Sequence, residues 1–188
     1  MSLLAFCEWL AATEGSIALH ESMYMYPIVE SSHVLALMLF VGFATILDLR
    51  LLGLILKGVP VSTVAERLLP WTIAGFVVMI ITGVLLFYAI PVRTYQSIFF
   101  RAKVIFLILA GVNVWFFHTR VFKRIAEWDH HIITPRAARR AGLASLVLWG
   151  AIIVAGRMIA YNWFDCDIQP QSAFVNWAAG CTVVPPTP

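Results

Sequence analysis

Four runs of this chain are apolar for long enough to cross a lipid bilayer, and nothing else in the sequence constrains the fold as tightly. A hydrocarbon core about 30 Å thick is spanned by roughly 20 mostly apolar helical residues. The runs are Ser31–Leu52, Leu69–Pro91, Ser97–Thr119 and Ala141–Asn162. They are continuous rather than alternating, which favours helices over the strands of a barrel. Hydrophobic residues make up 61% of the chain and charged residues 12%. A soluble domain carries about twice that charge, so the composition excludes a disordered chain, a nucleic-acid binder and an ordinary cytosolic enzyme. The expected fold class is all-α. It is an integral membrane four-helix up-down bundle, one domain over residues 1–188, with the lipid bilayer as its main partner.

Orientation follows from the basic residues. Of 13 Lys and Arg, three (Arg50, Lys57, Arg67) flank the loop after the first span. Six more (Arg120, Lys123, Arg124, Arg136, Arg139, Arg140) follow the third. Both loops are expected on the cytoplasmic side of a bacterial inner membrane, with both termini and Arg93 on the periplasmic side.

The first thirty residues lack a basic n-region, and Glu8 interrupts their apolar stretch, so they do not read as a signal peptide. Leu3, Phe6, Trp9 and Leu10 can share one helical face. An N-terminal helix lying in the outer interface is expected, followed by a second short one, with Trp9, Tyr24 and Tyr26 at headgroup level. Pro27 marks the start of span one. In the tail, 163–188, Cys166 and Cys181 would meet an oxidising compartment, where paired cysteines tend to bond. A bridge between them is expected, with Cys7 as a small apolar filler. No CxxC or CxxCH is present, which argues against covalent haem and a zinc ribbon. Walker, GxSxG, HExxH and GxGxxG motifs are absent as well.

Ionisable side chains inside a span are expensive and mark function or pairing. Glu30 and His33 lie in the outer turn of span one. Lys103 lies about 9 Å into span three, and Arg157 about 8 Å into span four with Tyr161 one turn above it. Tyr88 ends span two at a similar level. These groups are expected to form one outer cluster. It is either a plain ion network, with Glu30 neutralising Arg157 or Lys103, or a pocket for a haem b or a quinone. In the pocket reading, Lys103 and Arg157 hold an anionic group, Tyr161 donates a hydrogen bond and His33 is axial ligand or proton group. A second layer near the cytoplasmic end holds Asp48, Arg50, Asn113, Trp115 and His118, with Asp48 expected to pair across helices with Arg67 or Arg120.

His33 and His118 stand about 25 Å apart along the membrane normal. Axial ligands stand about 2 Å from a metal, so these two cannot share one haem. A bis-histidine site needs His33 with His20, or His118 with His130 or His131. Met23 and Met25 with His20 loosely suggest copper handling, since thioethers suit soft metals, but three such residues in an arm arise readily by chance and copper is not favoured. Ala151 and Ala155, with Gly75 and Gly83, suit close helix packing within the bundle or between protomers.

Tyr26-Pro27-Ile28-Val29-Glu30-Ser31-Ser32-His33-Val34-Leu35, followed by Asp48-Leu49-Arg50-Leu51-Leu52-Gly53, resembles a bacterial family of four-span membrane proteins of unknown function. Further matches are Phe100 with Lys103, Ala138-Arg139, and Gly156-Arg157-Met158-Ile159-Ala160-Tyr161. The resemblance covers most of the chain. That family is distantly similar to the membrane domain of copper-resistance D-type proteins and to small b-type cytochromes, which implies a redox-linked electron-transfer subunit. His20 departs from the family pattern, which counts against a His20–His33 haem. Three functions remain from the sequence: a redox-linked subunit, a non-catalytic accessory subunit of a larger membrane complex, and copper handling. A protein partner or a homo-oligomer in the membrane is expected. A stand-alone enzyme is not, since no nucleophile–base pair can be drawn.

Overall fold

The computed structural model describes residues 2–131, 134–161, 163–164 and 166–181. All regular structure among them is helical. The elements are α1 (Leu3–Ala11), α2 (Glu14–Glu21), α3 (Met25–Leu51), α4 (Val61–Ala89), α5 (Pro91–Tyr95), α6 (Ile98–Phe116), α7 (Arg136–Tyr161) and α8 (Ala173–Ala179). A π turn and a 3-10 run extend α6 to Glu127. Helices α3, α4 and α7, and α6 with its extension, are long and apolar enough to cross a membrane. The chain is a multi-pass membrane protein.

The spans are longer than hydropathy alone indicates. Helix α3 begins two residues before Pro27, whose missing N–H falls in the first turn, where it has no helical partner in any case. Helices α4 and α7 begin eight and five residues before the apolar runs read in the sequence. Their first turns bury Val61, Val64, Ala65 and Ala138, so packing extends the helices past the lipid. The expected end of span four at Asn162 and the tail beyond Cys181 lie outside the described residues.

In lipid no hydrophobic force pulls helices together, so association rests on close contact and hydrogen bonds. The chain forms two antiparallel hairpins, α3 with α4 and α6 with α7, joined through α3 and α7. Contacts fall in layers. In the middle layer Phe40 meets Trp149 edge to face at 4.6 Å, with Ala36, Met79, Ala110 and Ile152 around them. Gly75 lets α4 approach α3 so closely that a Cβ there would lie 3.0 Å from the Phe40 nitrogen. Near the basic end, a Cβ on Gly142 would lie 3.1 Å from the Asp48 carbonyl oxygen and 3.2 Å from Leu51 Cβ. Helices α4 and α6, by contrast, do not pack along their lengths. They meet where Phe87 and Phe100 stack at 5.6 Å.

The basic face is closed by polar clamps. The run Asp48-Leu49-Arg50-Leu51-Leu52-Gly53 ends α3 in a Schellman turn: Gly53 takes φ 72°, its N–H donates to Arg50 O, and Leu54 N–H donates to Leu49 O at 3.0 Å. Arg50 is fully buried and its Nε donates to Val59 O at 2.8 Å, tying the α3–α4 loop. Thr134 donates to Leu51 O, and Asn113 donates to Ala141 O at 3.0 Å. Helix α4 starts at Pro60 without a side-chain cap of its own. Asp129, from the loop after α6, supplies one, accepting from the Ser62 N–H at 2.9 Å and the Ser62 hydroxyl at 2.5 Å. Partial burial works to raise the Asp129 carboxyl, but these donors at a helix N-terminus outweigh it and hold it below its ordinary range.

The opposite face is covered by the short helices. Leu3, Phe6 and Trp9 of α1 point outward while Cys7 is buried, as an interfacial helix requires. Burial, then the charge of Glu8, push the Cys7 thiol up, and it behaves as an apolar filler. Helix α2 is latched to the last turn of α4: Thr13 and Tyr88 share a 2.9 Å hydrogen bond, and the Ser16 hydroxyl donates to Tyr88 O at 2.7 Å. In the tail, Cys166 and Cys181 form the expected disulfide. Helix α8, not foreseen from the sequence, is tied down by Arg101. Its guanidinium donates to Ala178 O at 2.7 Å and to Tyr95 O at 3.2 Å, and lies over the Tyr95 ring.

Two measurements check this account. Asp129→Ala is expected to destabilise the fold by about 1 kcal/mol, the usual value of a helix cap. Because the folded carboxyl is held low, that contribution is present above the unfolded range near pH 4 and is lost as pH falls through the folded value. Thermal midpoints of wild type and variant in detergent should therefore converge in acid. Gly142→Val, which drives a branched side chain into α3, is expected to cost about 1–3 kcal/mol. Gly150→Val, on the same helix with nothing near its Cβ position, should be close to neutral. Equal midpoints for the two valine variants would refute the close approach at Gly142.

Candidate functional site

Of the sequence-derived cluster, the structure brings two ionisable groups together and leaves the rest apart. His33 on α3 and Lys103 on α6 occupy one layer, with Thr82 and Gly83 of α4 and Gly156 of α7. The His33 Nδ1 lies 3.0 Å from the Thr82 hydroxyl, and a Cβ on Gly83 would lie 3.2 Å from His33 Cε1. The Lys103 Nζ would be 3.5 Å from a Cβ on Gly156. Lys103 is also near enough for its charge to act on His33. Small residues on α4 and α7 thus make the room that one imidazole and one ammonium fill.

The hydrogen bonds assign the imidazole tautomer. A threonine hydroxyl has one proton. Thr82 directs it at Val78 O, 2.7 Å away, with Met79 O at 3.2 Å. The bond between Thr82 and His33 must then run the other way, with His33 Nδ1–H donating. The Met79 carbonyl also faces the ring. In neutral His33 this leaves the Nε2 lone pair unprotonated, the form that accepts a proton or binds a metal. The layer sits about 12 Å along α3 from its first residue, one turn below the Phe87–Phe100 stack, where α4 and α6 stand apart.

The other expected members are elsewhere. Glu30 is exposed. Arg157 and Tyr161 are exposed on α7, the guanidinium stacked over the Tyr161 ring at 5.2 Å and that ring on Trp163 at 5.3 Å. No acid neutralises Arg157 among the described residues; it lies along the surface as a snorkelling side chain does. His118 is exposed in the π turn, stacked on Phe122. His20 is exposed with its ring edge on Tyr26, two turns up α3 from His33, and is not brought to His33. Met23 and Met25 are exposed. No group of three His, Cys, Asp or Glu among the described residues is arranged to hold a metal ion.

The basic-end layer also departs from expectation. Asp48 is buried, but its partner is Ser145 of α7 rather than Arg67 or Arg120, both exposed. Its Oδ2 and the Arg50 Nη1 are buried without hydrogen-bond partners. Sequence reasoning missed Thr82, whose signal was a hydroxyl in the middle of the apolar run of span two, Arg101, whose partners are backbone carbonyls that leave no pattern, and Asp129, whose partner Ser62 lies 67 residues away.

A family model described as "Family of unknown function (DUF6644)" matches residues 6–162. No curated protein and no solved structure matches the chain.

The tautomer is open to direct measurement. Nitrogen-15 NMR of His33 in labelled protein is expected to show protonated Nδ1 and unprotonated Nε2 at neutral pH. Thr82→Val should abolish that preference while Thr82→Ser keeps it. A protonated Nε2 in wild type would overturn the assignment.

Proposed function

We propose that this chain, which belongs to that family of unknown function, is a redox-linked membrane subunit that holds a quinone head between His33 and Lys103. One observation carries the reading: Nδ1 is committed to Thr82, so His33 keeps an unprotonated Nε2 in the same layer as the Lys103 ammonium, inside a bundle whose α4 and α6 do not close on each other. A quinone needs such a pair. The ammonium donates to a carbonyl oxygen, and the imidazole accepts from the hydroxyl of the reduced form. Each passage between quinone and quinol moves two electrons and two protons. His33 exchanges one proton with the quinone oxygen it faces and Lys103 exchanges the other, and a partner redox protein carries the two electrons. Access from the side, between α4 and α6, suits a ligand that dissolves in the membrane.

A haem b on His33 is the second reading. The same Nδ1 donation is the outer contact that orients metal-bound imidazoles. The distant similarity drawn from the sequence between that family and small b-type cytochromes also favours it. Arg157 and Tyr161 drop out of both readings, since they face away. The basic loops and the Cys166–Cys181 bridge support a bacterial inner-membrane location with both termini periplasmic.

Extraction of protein purified in mild detergent tests the proposal. Wild type is expected to retain near-stoichiometric quinone, with His33→Ala and Lys103→Met losing most of it while still inserting. Equal retention by all three would refute the quinone site. A reduced-minus-oxidised spectrum with a Soret change lost in His33→Ala would transfer the assignment to haem. Absence of both ligands would leave the accessory-subunit reading.

A further inference from the structure

Three arginines open α7, and their surroundings are specific. Arg136, Arg139 and Arg140, with Leu52 and Leu143, line a recess of about 250 Å³ at the basic face. All three arginines are exposed, and no carboxylate pairs with them among the described residues. Leu143 is one turn along α7 from Arg139 and is itself exposed. Below it the stripe continues through Val147 and Val154, both exposed, on the part of the helix that faces hydrocarbon. The recess is thus cationic above, and exposed apolar side chains of the same helix continue below it.

We propose that this recess is a binding site for an anionic phospholipid of the adjacent leaflet. The phosphate sits among Arg136, Arg139 and Arg140, where guanidinium forks match its oxygens, and an acyl chain runs down Leu143, Val147 and Val154. A soluble anion would use the arginines but not the stripe. A zwitterionic lipid would use the stripe but would bring its own cation to the arginines. Only a lipid with net negative charge satisfies both parts. Basic side chains gathered at a helix end act on anionic headgroups in the same way elsewhere.

Native mass spectrometry of the full chain released from detergent tests this, with phosphatidylglycerol, phosphatidylcholine and inorganic phosphate as separate probes. Wild type is expected to keep a phosphatidylglycerol adduct that phosphatidylcholine does not replace and that millimolar phosphate does not displace. Arg139→Gln/Arg140→Gln should weaken that adduct on the order of 30-fold, two surface charges' worth. Lys57→Gln, a basic residue of the same face outside the recess, should leave it unchanged. Equal retention of the two lipids, complete displacement by inorganic phosphate, or an unchanged adduct in the double variant would each overturn the proposal. Should the double variant fail to fold, the comparison of lipids on wild type and Arg136→Gln decides it.

Discussion

The contact of α3 with α7 is the join on which the molecule depends. The passage from one hairpin to the other, 90–97 through α5, is short, but the helices it joins, α4 and α6, do not pack along their lengths, so the hairpins are held together by α3 and α7. In a solvent as apolar as leucine the join must come from shape and hydrogen bonds. Gly142 provides the shape, Ser145 and Thr134 provide bonds to Asp48 and Leu51, and Phe40 fits against Trp149. Asp48 is best understood within that join. Its carboxyl reaches α7, and the Schellman turn five residues on ends α3 where the loop can fold back over Arg50.

That join also explains the position of the candidate site. Because α3 and α7 meet, α4 and α6 are held on opposite flanks and remain apart. The layer containing His33 and Lys103 lies between those flanks. Glycines at 83 and 156 give the two side chains their room, and Thr82 sets which ring nitrogen carries the proton. A tighter four-way bundle would have filled that layer with hydrocarbon.

Much of the fold was legible in the sequence, and much of the site was not. The spans, the N-terminal interfacial helix and the Cys166–Cys181 bridge follow from apolar length, helical spacing and cysteine placement. The facing of each span does not. In lipid both the packed side and the free side of a helix are apolar, so α3 and α6 carry almost no directional pattern. Arg157 and Lys103 therefore looked equivalent by depth, and the structure sends one to the surface and the other into the bundle. Asp48 looked like half of an ion pair because its serine partner lies almost a hundred residues away. Arg101 acts on backbone carbonyls, which every residue possesses, so no choice of partner side chain records it, and Asp129 meets the N–H and hydroxyl of a serine 67 residues away.

Arg101 has a mechanical consequence. It grips α8 through Ala178 O, and two residues further along the same helix is Lys103. A body that seized the exposed Phe174 and Trp177 of α8 would be pulling on a short lever whose far arm carries the intramembrane ammonium, so traffic at the surface and the charge inside the bundle would be geared together through one turn of α6.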